Sequence, residues 1–380
     1  MSRSGFYAMA IAAIATIALL GGGLVAPLGA GTPALTPDDG GTANAASVDG
    51  VLQQQQQTGE ACNYTALYEQ TIDGVVTIQR GGGLGSGFVT ELGGNDSARY
   101  VVTNAHVVGD AANATVQFDR GESITGEVVG TDVSSDLATV RVTDVPEYVD
   151  ALPLTNQSLA HGQRVAALGS PFGLEATITH GIISGLDRSM PTNRGYTIPN
   201  VVQTDAAISS GNSGGPLVTC EGAVVGVNTA GIAAQGAENI GFGVPASTVE
   251  LVIPSLIQTG EFTHTTLGVS GVTLTPAIAQ ANDLDVNRGV LVAAVDENAP
   301  AAEVLQGSEE RVRTNGRIVP VGGDVIVAIE GQPVANGEDV ASILLSQTRP
   351  GDEIEVTIIR DGQETTVTTT VIEPPEPTMP

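Results

Sequence analysis

Short apolar runs punctuated by Gly, Asn and Asp fill residues 64–258. Val75 to Ile78, Gly87 to Thr90, Tyr100 to Thr103, Thr115 to Phe118, Leu137 to Val142, Arg164 to Leu168, Val201 to Thr204, Pro216 to Val218 and Val224 to Asn228 each have strand length. Helical periodicity is weak until Ser247 to Ile257. Many short strands at close spacing predict β-barrels or a sandwich. A second block, Thr265 to Val371, carries strand-like Leu267 to Val269, Val290 to Val295, Val325 to Ile329 and Ile354 to Arg360, with one helical stretch from Glu338 to Gln347. It predicts a smaller α+β module, so the chain as a whole is mainly β.

The ends differ from both blocks. From Phe6 to Ala30 no side chain is charged, and Arg3 precedes the run. About 20 helical residues at ~1.5 Å each cross a bilayer core, so residues 1–30 predict export, either as a cleaved signal peptide or as a retained membrane anchor. Residues 31–63, rich in Gly, Thr, Ala, Asp and Pro and holding Gln53 to Gln57, have linker composition. The folded part is expected at 64–258 and 264–372, with a disordered Pro-rich tail at 373–380.

Charge narrows the function classes. The chain has 42 Asp and Glu against 14 Arg, no Lys, and a formal charge of −28. A nucleic-acid role is excluded, because such affinity comes largely from cations that release phosphate counterions. Carboxylate enrichment with no Lys and no Trp is the composition of a halophilic protein, since concentrated salt screens the self-repulsion. Cys62 and Cys220 either form one disulfide or stay as thiols. No CxxC or Cys/His cluster suggests a metal, and Gly81 to Gly87 does not satisfy GxGxxG and precedes a strand. No cofactor is expected.

The sharpest chemical signal is Gly211-Asn212-Ser213-Gly214-Gly215-Pro216. A serine hydroxyl attacks an acyl group only when a base takes its proton and backbone N–H groups meet the developing oxyanion. Glycines around Ser213 let the chain turn so that the N–H groups of Gly211 and Ser213 converge. Of four histidines, His106 follows the strand end Val101-Val102-Thr103, where a loop can present it to a cleft. His161 lies in a polar turn, His180 beside Gly181 without an orienting acid, and His264 between the two modules. Asp136 opens the apolar run Leu137 to Val140, a partly buried position suited to an acid that orients the imidazole.

Thr103-Asn104-Ala105-His106-Val107-Val108, Ser135-Asp136-Leu137-Ala138, Ser170-Pro171-Phe172-Gly173-Leu174, Thr204-Asp205-Ala206-Ala207-Ile208 and Gly211-Asn212-Ser213-Gly214-Gly215-Pro216 together resemble the HtrA family of serine proteases. The resemblance extends through Gly226 to Ala230 and Ile240 to Pro245 and covers nearly all of 64–372. It implies a chymotrypsin-like pair of six-stranded β-barrels with the cleft between them, followed by a PDZ domain. It implies His106, Asp136 and Ser213 as the triad and the N–H groups of Gly211 and Ser213 as the oxyanion hole. Ser209-Ser210 and Thr139 depart from the family pattern without removing a catalytic group.

Six residues before Ser213, where trypsin-like enzymes selecting cations carry an acid, stands Ala207, followed by Ile208. A neutral pocket lined by Ile208, Asn228, Thr229 and Ala230 is expected to favour small or aliphatic residues. Leu267-Gly268-Val269 resembles the carboxylate-binding loop of a PDZ domain, which takes C-terminal peptides. The insertion Gly307 to Val321, with Arg311, Arg313 and Arg317, reads as an exposed loop. The resemblance thus implies an extracytoplasmic, ATP-independent endopeptidase acting on unfolded proteins at the cell surface, secreted or membrane-anchored, and assembled as a homotrimer or a multiple of it. The alternative is a peptide-binding chaperone or scaffold with little proteolytic activity.

Overall fold

The computed structural model describes residues 62–374 apart from 82, 93–98, 171–176, 193–196, 210, 230–238 and 315. The apolar run from Phe6 to Ala30, nearly all of the linker, most of the tail and Ala230 lie outside the described residues. Among the described residues no helix is long and apolar enough to cross a membrane.

Order begins earlier than the composition suggests. Asn63, assigned to the linker, accepts from the Ala66 N–H at 3.2 Å and caps α1 (Tyr64–Thr71). Cys62 is bonded to Cys220, which settles the pairing left open by the sequence and ties the entry of α1 to the turn after Thr219. His180 stacks on Tyr64 with ring centroids 4.4 Å apart, a packing role on the same helix.

Six strands follow: β1 (Val75–Arg80), β2 (Gly83–Thr90), β3 (Arg99–Thr103), β4 (Asn113–Phe118), β5 (Ser123–Asp132) and β6 (Leu137–Val142), with the one-turn helix α2 (Ala105–Val108) between β3 and β4. They close as β1-β2-β3-β6-β5-β4. A second closed barrel, in the order β10-β11-β12-β9-β8-β7, is built from β7 (Arg164–Gly169), β8 (Thr177–Pro191), β9 (Thr197–Thr204), β10 (Pro216–Val218), β11 (Val224–Thr229) and β12 (Gly241–Pro245). Closure leaves neither sheet a free edge.

Several strands bury both faces, which is why they read as continuous apolar runs and not as an alternation. Val76, Val89, Val101 and Ala138 fill the first barrel. Their neighbours Val75, Phe88, Val102 and Leu137 point the other way, into a shared layer with Leu168, Val201, Val227 and Val244 of the second barrel. α3 (Ala246–Thr259) seals that layer with Val249, Val252, Ile253 and Leu256, spaced for one helical face.

The C-terminal module forms a sheet in the order β13-β14-β17-β19-β20, with β13 (Val269–Thr273) at one edge. Its other strands are β14 (Val290–Val295), β17 (Val325–Ile329), β19 (Glu353–Arg360) and β20 (Gln363–Thr370), with the two-residue β18 (Gln332–Pro333) paired to β17. The expected exposed loop at Gly307 to Val321 is instead the hairpin β15 (Glu310–Thr314) and β16 (Arg317–Val321). Val319 is buried with Leu274 and Ile278, and Val312 packs against that cluster, so the hairpin is held on α4 (Pro276–Ala281). α5 (Gly337–Gln347) begins at Asn336, whose side chain accepts from the Asp339 N–H at 3.0 Å while Asp339 accepts from the Ala335 N–H at 2.7 Å.

Asp324, fully buried, is gripped by Arg360 through Nε to Oδ1 and Nη2 to Oδ2, both at 2.7 Å. The segment joining the modules is anchored too. His264 Nε2 lies 2.9 Å from both carboxylate oxygens of Asp132, which also accepts the Ser134 and Ser135 N–H groups.

Candidate active site

Asp136 sits in the tight turn between β5 and β6 with φ 56°, a left-handed backbone that aspartate tolerates better than most residues. The turn aims its carboxylate back at α2. His106 Nδ1 lies 2.9 Å from Oδ1 and 2.8 Å from Oδ2, and the His106 main-chain N–H donates to Oδ1 at 3.1 Å. The Asp136 carbonyl accepts from the Ala105 N–H and from Asn104 Nδ2 at 2.9 Å, so both the side chain and the carbonyl of Asp136 are fastened to the histidine segment.

The Asp136 side chain is 3% exposed and the His106 side chain 35%. With Nδ1–H donating to the carboxylate, as the main-chain N–H does, the neutral imidazole has Nε2 as its acceptor. A third donor reaches the carboxylate. Thr229, expected on the pocket wall, donates its hydroxyl to Asp136 Oδ2 at 2.9 Å. Position in the sequence gave no hint of this contact, because 93 residues separate the partners.

Ser213 lies in the turn 211–214 that leads into β10 and is nearly buried. Gly211 has φ 118° and Gly214 φ 85°, values that exclude a side chain without strain. A Cβ on Gly214 would also collide with the Ser86 carbonyl and the Thr103 hydroxyl and lie 3.1 Å from the Asn104 N, which sets the serine turn directly against the strand end that presents His106. The Asn212 side chain braces the approach, accepting from the Ser209 N–H at 2.9 Å and donating to the Ala207 carbonyl at 3.2 Å.

The other expected pocket residues that the structure describes belong to the second barrel. Ala207 is exposed, while Ile208 is half-buried and packs against the core of the second barrel. Asn228 is fully buried, its amide donating to the carbonyls of Leu168 and Pro216. In the C-terminal module Leu267 is buried, and the Gly268 N–H donates to the Thr266 hydroxyl at 3.1 Å. Val269 opens the edge strand β13, paired on one side with β14. Among the described residues no group of His, Cys, Asp or Glu is arranged to hold a metal ion.

Comparison with known proteins agrees with this architecture. Residues 85–227 match the family model of the trypsin-like peptidase domain and 265–371 that of the PDZ domain. The chain is 32% identical over 333 residues to the serine protease Do-like HtrA of Bacillus subtilis (strain 168), covering 84% of this chain and 69% of that protein. It is 33% identical over 290 residues to the periplasmic pH-dependent serine endoprotease DegQ of Escherichia coli (strain K12), covering 76% of this chain and 59% of the relative. Among solved structures, the HtrA-type protease AlgW with tripeptide superposes with a TM-score of 0.65 at 31% identity, covering 83% of this chain and 98% of that one.

Proposed function

The chain belongs to the HtrA family of trypsin-like serine proteases, and on that premise we propose that it is an exported, ATP-independent endopeptidase of protein quality control. The observation that carries the reading is the hold of the buried Asp136 carboxylate on both the ring Nδ1 and the main-chain N–H of His106. Ser213 is the nucleophile. His106 Nε2 takes its proton as Oγ attacks the scissile carbonyl, and the N–H groups of Gly211 and Ser213 receive the charge on the carbonyl oxygen. His106 then passes the proton to the leaving amine, and water hydrolyses the acyl-enzyme by the same route in reverse.

Ala207 puts no carboxylate at the position that would attract a cation, so an Arg or Lys side chain entering there would lose its hydration without a partner. Cleavage follows small or aliphatic residues of unfolded proteins. Peptides, C-terminal ones included, dock on the second module by adding a strand to the free side of β13. The run from Phe6 to Ala30 directs the chain out of the cytoplasm, as a leader or an anchor, and a homotrimer or a multiple of it is the expected assembly.

The test is casein cleavage in molar salt. Ser213→Ala and His106→Ala each lower turnover by roughly a thousandfold or more. Cleavage that survives both substitutions contradicts the reading.

A further inference from the structure

Every polar group of Ser86 is bonded to a segment that surrounds the serine turn or belongs to it. Ser86 lies on β2 of the first barrel and is fully buried. Its hydroxyl donates to the Gly211 carbonyl at 2.6 Å and accepts from the Ser170 N–H at 2.9 Å. Its own N–H donates to the Ser213 carbonyl at 2.8 Å, and its carbonyl accepts from the Thr103 hydroxyl at 2.6 Å. A hydroxyl has one proton to donate. With its acceptor side turned to Ser170, that proton points at Gly211.

From these contacts we infer that Ser86 is a positioning residue for catalysis, which fixes the serine turn by holding the peptide planes on either side of the one that carries the Ser213 N–H. The inference rests on the assignment of Ser213 as nucleophile and of Gly211 as oxyanion donor. Gly211, at φ 118°, occupies a region open to few residues, where the peptide planes on either side of its Cα can rotate with little steric resistance. Anchoring its carbonyl fixes the plane that follows the Cα, between Gly211 and Asn212. The Ser86 main chain at the same time holds Ser213, so nucleophile and oxyanion amide are referenced to one residue of the opposite barrel. Thr103, three residues before His106, is referenced to it as well.

Loss of the hydroxyl therefore loosens the transition-state contact while leaving the substrate-binding surface in place. In Ser86→Ala, kcat on a peptidyl-valine p-nitroanilide falls about tenfold to a hundredfold with KM unchanged. Affinity for a peptidyl boronate, whose tetrahedral adduct carries the negative oxygen, falls by the same factor.

Because Ser86→Ala also leaves two buried groups unpaired, the deciding comparison is Ser86→Thr against Ser86→Val, which carry nearly equal bulk and differ in the hydroxyl. The threonine variant turns over at least tenfold faster than the valine variant. Equal kcat for the pair, or a loss in the valine variant expressed wholly in KM, overturns the role of Ser86 while wild-type turnover leaves the protease reading intact. A wild-type protein that neither turns over the nitroanilide nor binds the boronate overturns both.

Discussion

The Thr229 hydroxyl donates to Asp136 Oδ2 at 2.9 Å across the boundary between the barrels, from the end of β11 to the turn before β6. The Asp136 carboxylate, bonded to His106, is thus held from the first barrel by its own turn and from the second by this bond. Thr229→Val keeps the shape and removes the donor. A buried, charged acceptor that loses a hydrogen bond costs about 1.5–3 kcal/mol, so the variant unfolds at lower denaturant with an unchanged slope. Its kcat falls as well, because His106 is less firmly oriented. Chemical denaturation and steady-state kinetics check the two outcomes.

The buried pair in the C-terminal module makes a separate prediction. Asp324 is fully buried, and besides Arg360 it accepts the Gln306 N–H at 2.7 Å. Arg360 Nη2 also reaches the Val304 carbonyl at 2.6 Å, and the hydrogen bond to Asp324, its largest influence, raises the guanidinium pKa further. Arg360→Met leaves a buried carboxylate without its cation and destabilises the module by about 3–5 kcal/mol. Replacing both partners, with Asp324→Leu added, restores much of the loss. Calorimetry of the full chain resolves the two cases.

Much of the fold was legible because burial on both faces writes itself into the sequence. The ends of β6, β10, β14 and β17 fall where the apolar runs predict them. β8 was invisible for the converse reason: it carries Gly181 and Gly185 and is mostly exposed or half-exposed along its length, so it has the composition of a loop. β5 likewise turns polar residues outward at Ser123, Thr125 and Glu127. The contact between His106 and Asp136 joins two residues that stand out in the sequence by their places at strand ends. The contacts of Thr229 and Ser86 do not stand out, because they depend on which strands two closed barrels bring face to face.

A pH effect is expected at the surface of the first barrel. The Tyr148 hydroxyl donates to Glu122 Oε2 at 2.7 Å, and Arg120 lies over the ring at 3.8 Å from its centroid. Burial, aided by the bond to Glu122, raises the Tyr148 pKa from 10.0 to about 12. The same bond is the main cause that lowers the Glu122 pKa below 4.5. A raised tyrosine pKa means the fold favours the neutral phenol, so its contribution is complete below pH 10 and disappears as pH climbs through about 12. The contribution of Glu122 has the opposite sense and is lost as the solution is acidified through its lowered value. An ultraviolet titration of wild type minus Tyr148→Phe should show a tyrosinate that forms late, near pH 12. A difference curve centred at the ordinary tyrosine value removes this account of the pair.

Intact-mass spectrometry after exposure to a fluorophosphonate reads directly whether Ser213 is an activated nucleophile. The predicted result is one adduct per wild-type chain, mapped to Ser213, with none on Ser213→Ala and labelling slowed by orders of magnitude on His106→Ala. An unmodified wild-type chain, or an adduct that persists in Ser213→Ala, contradicts it.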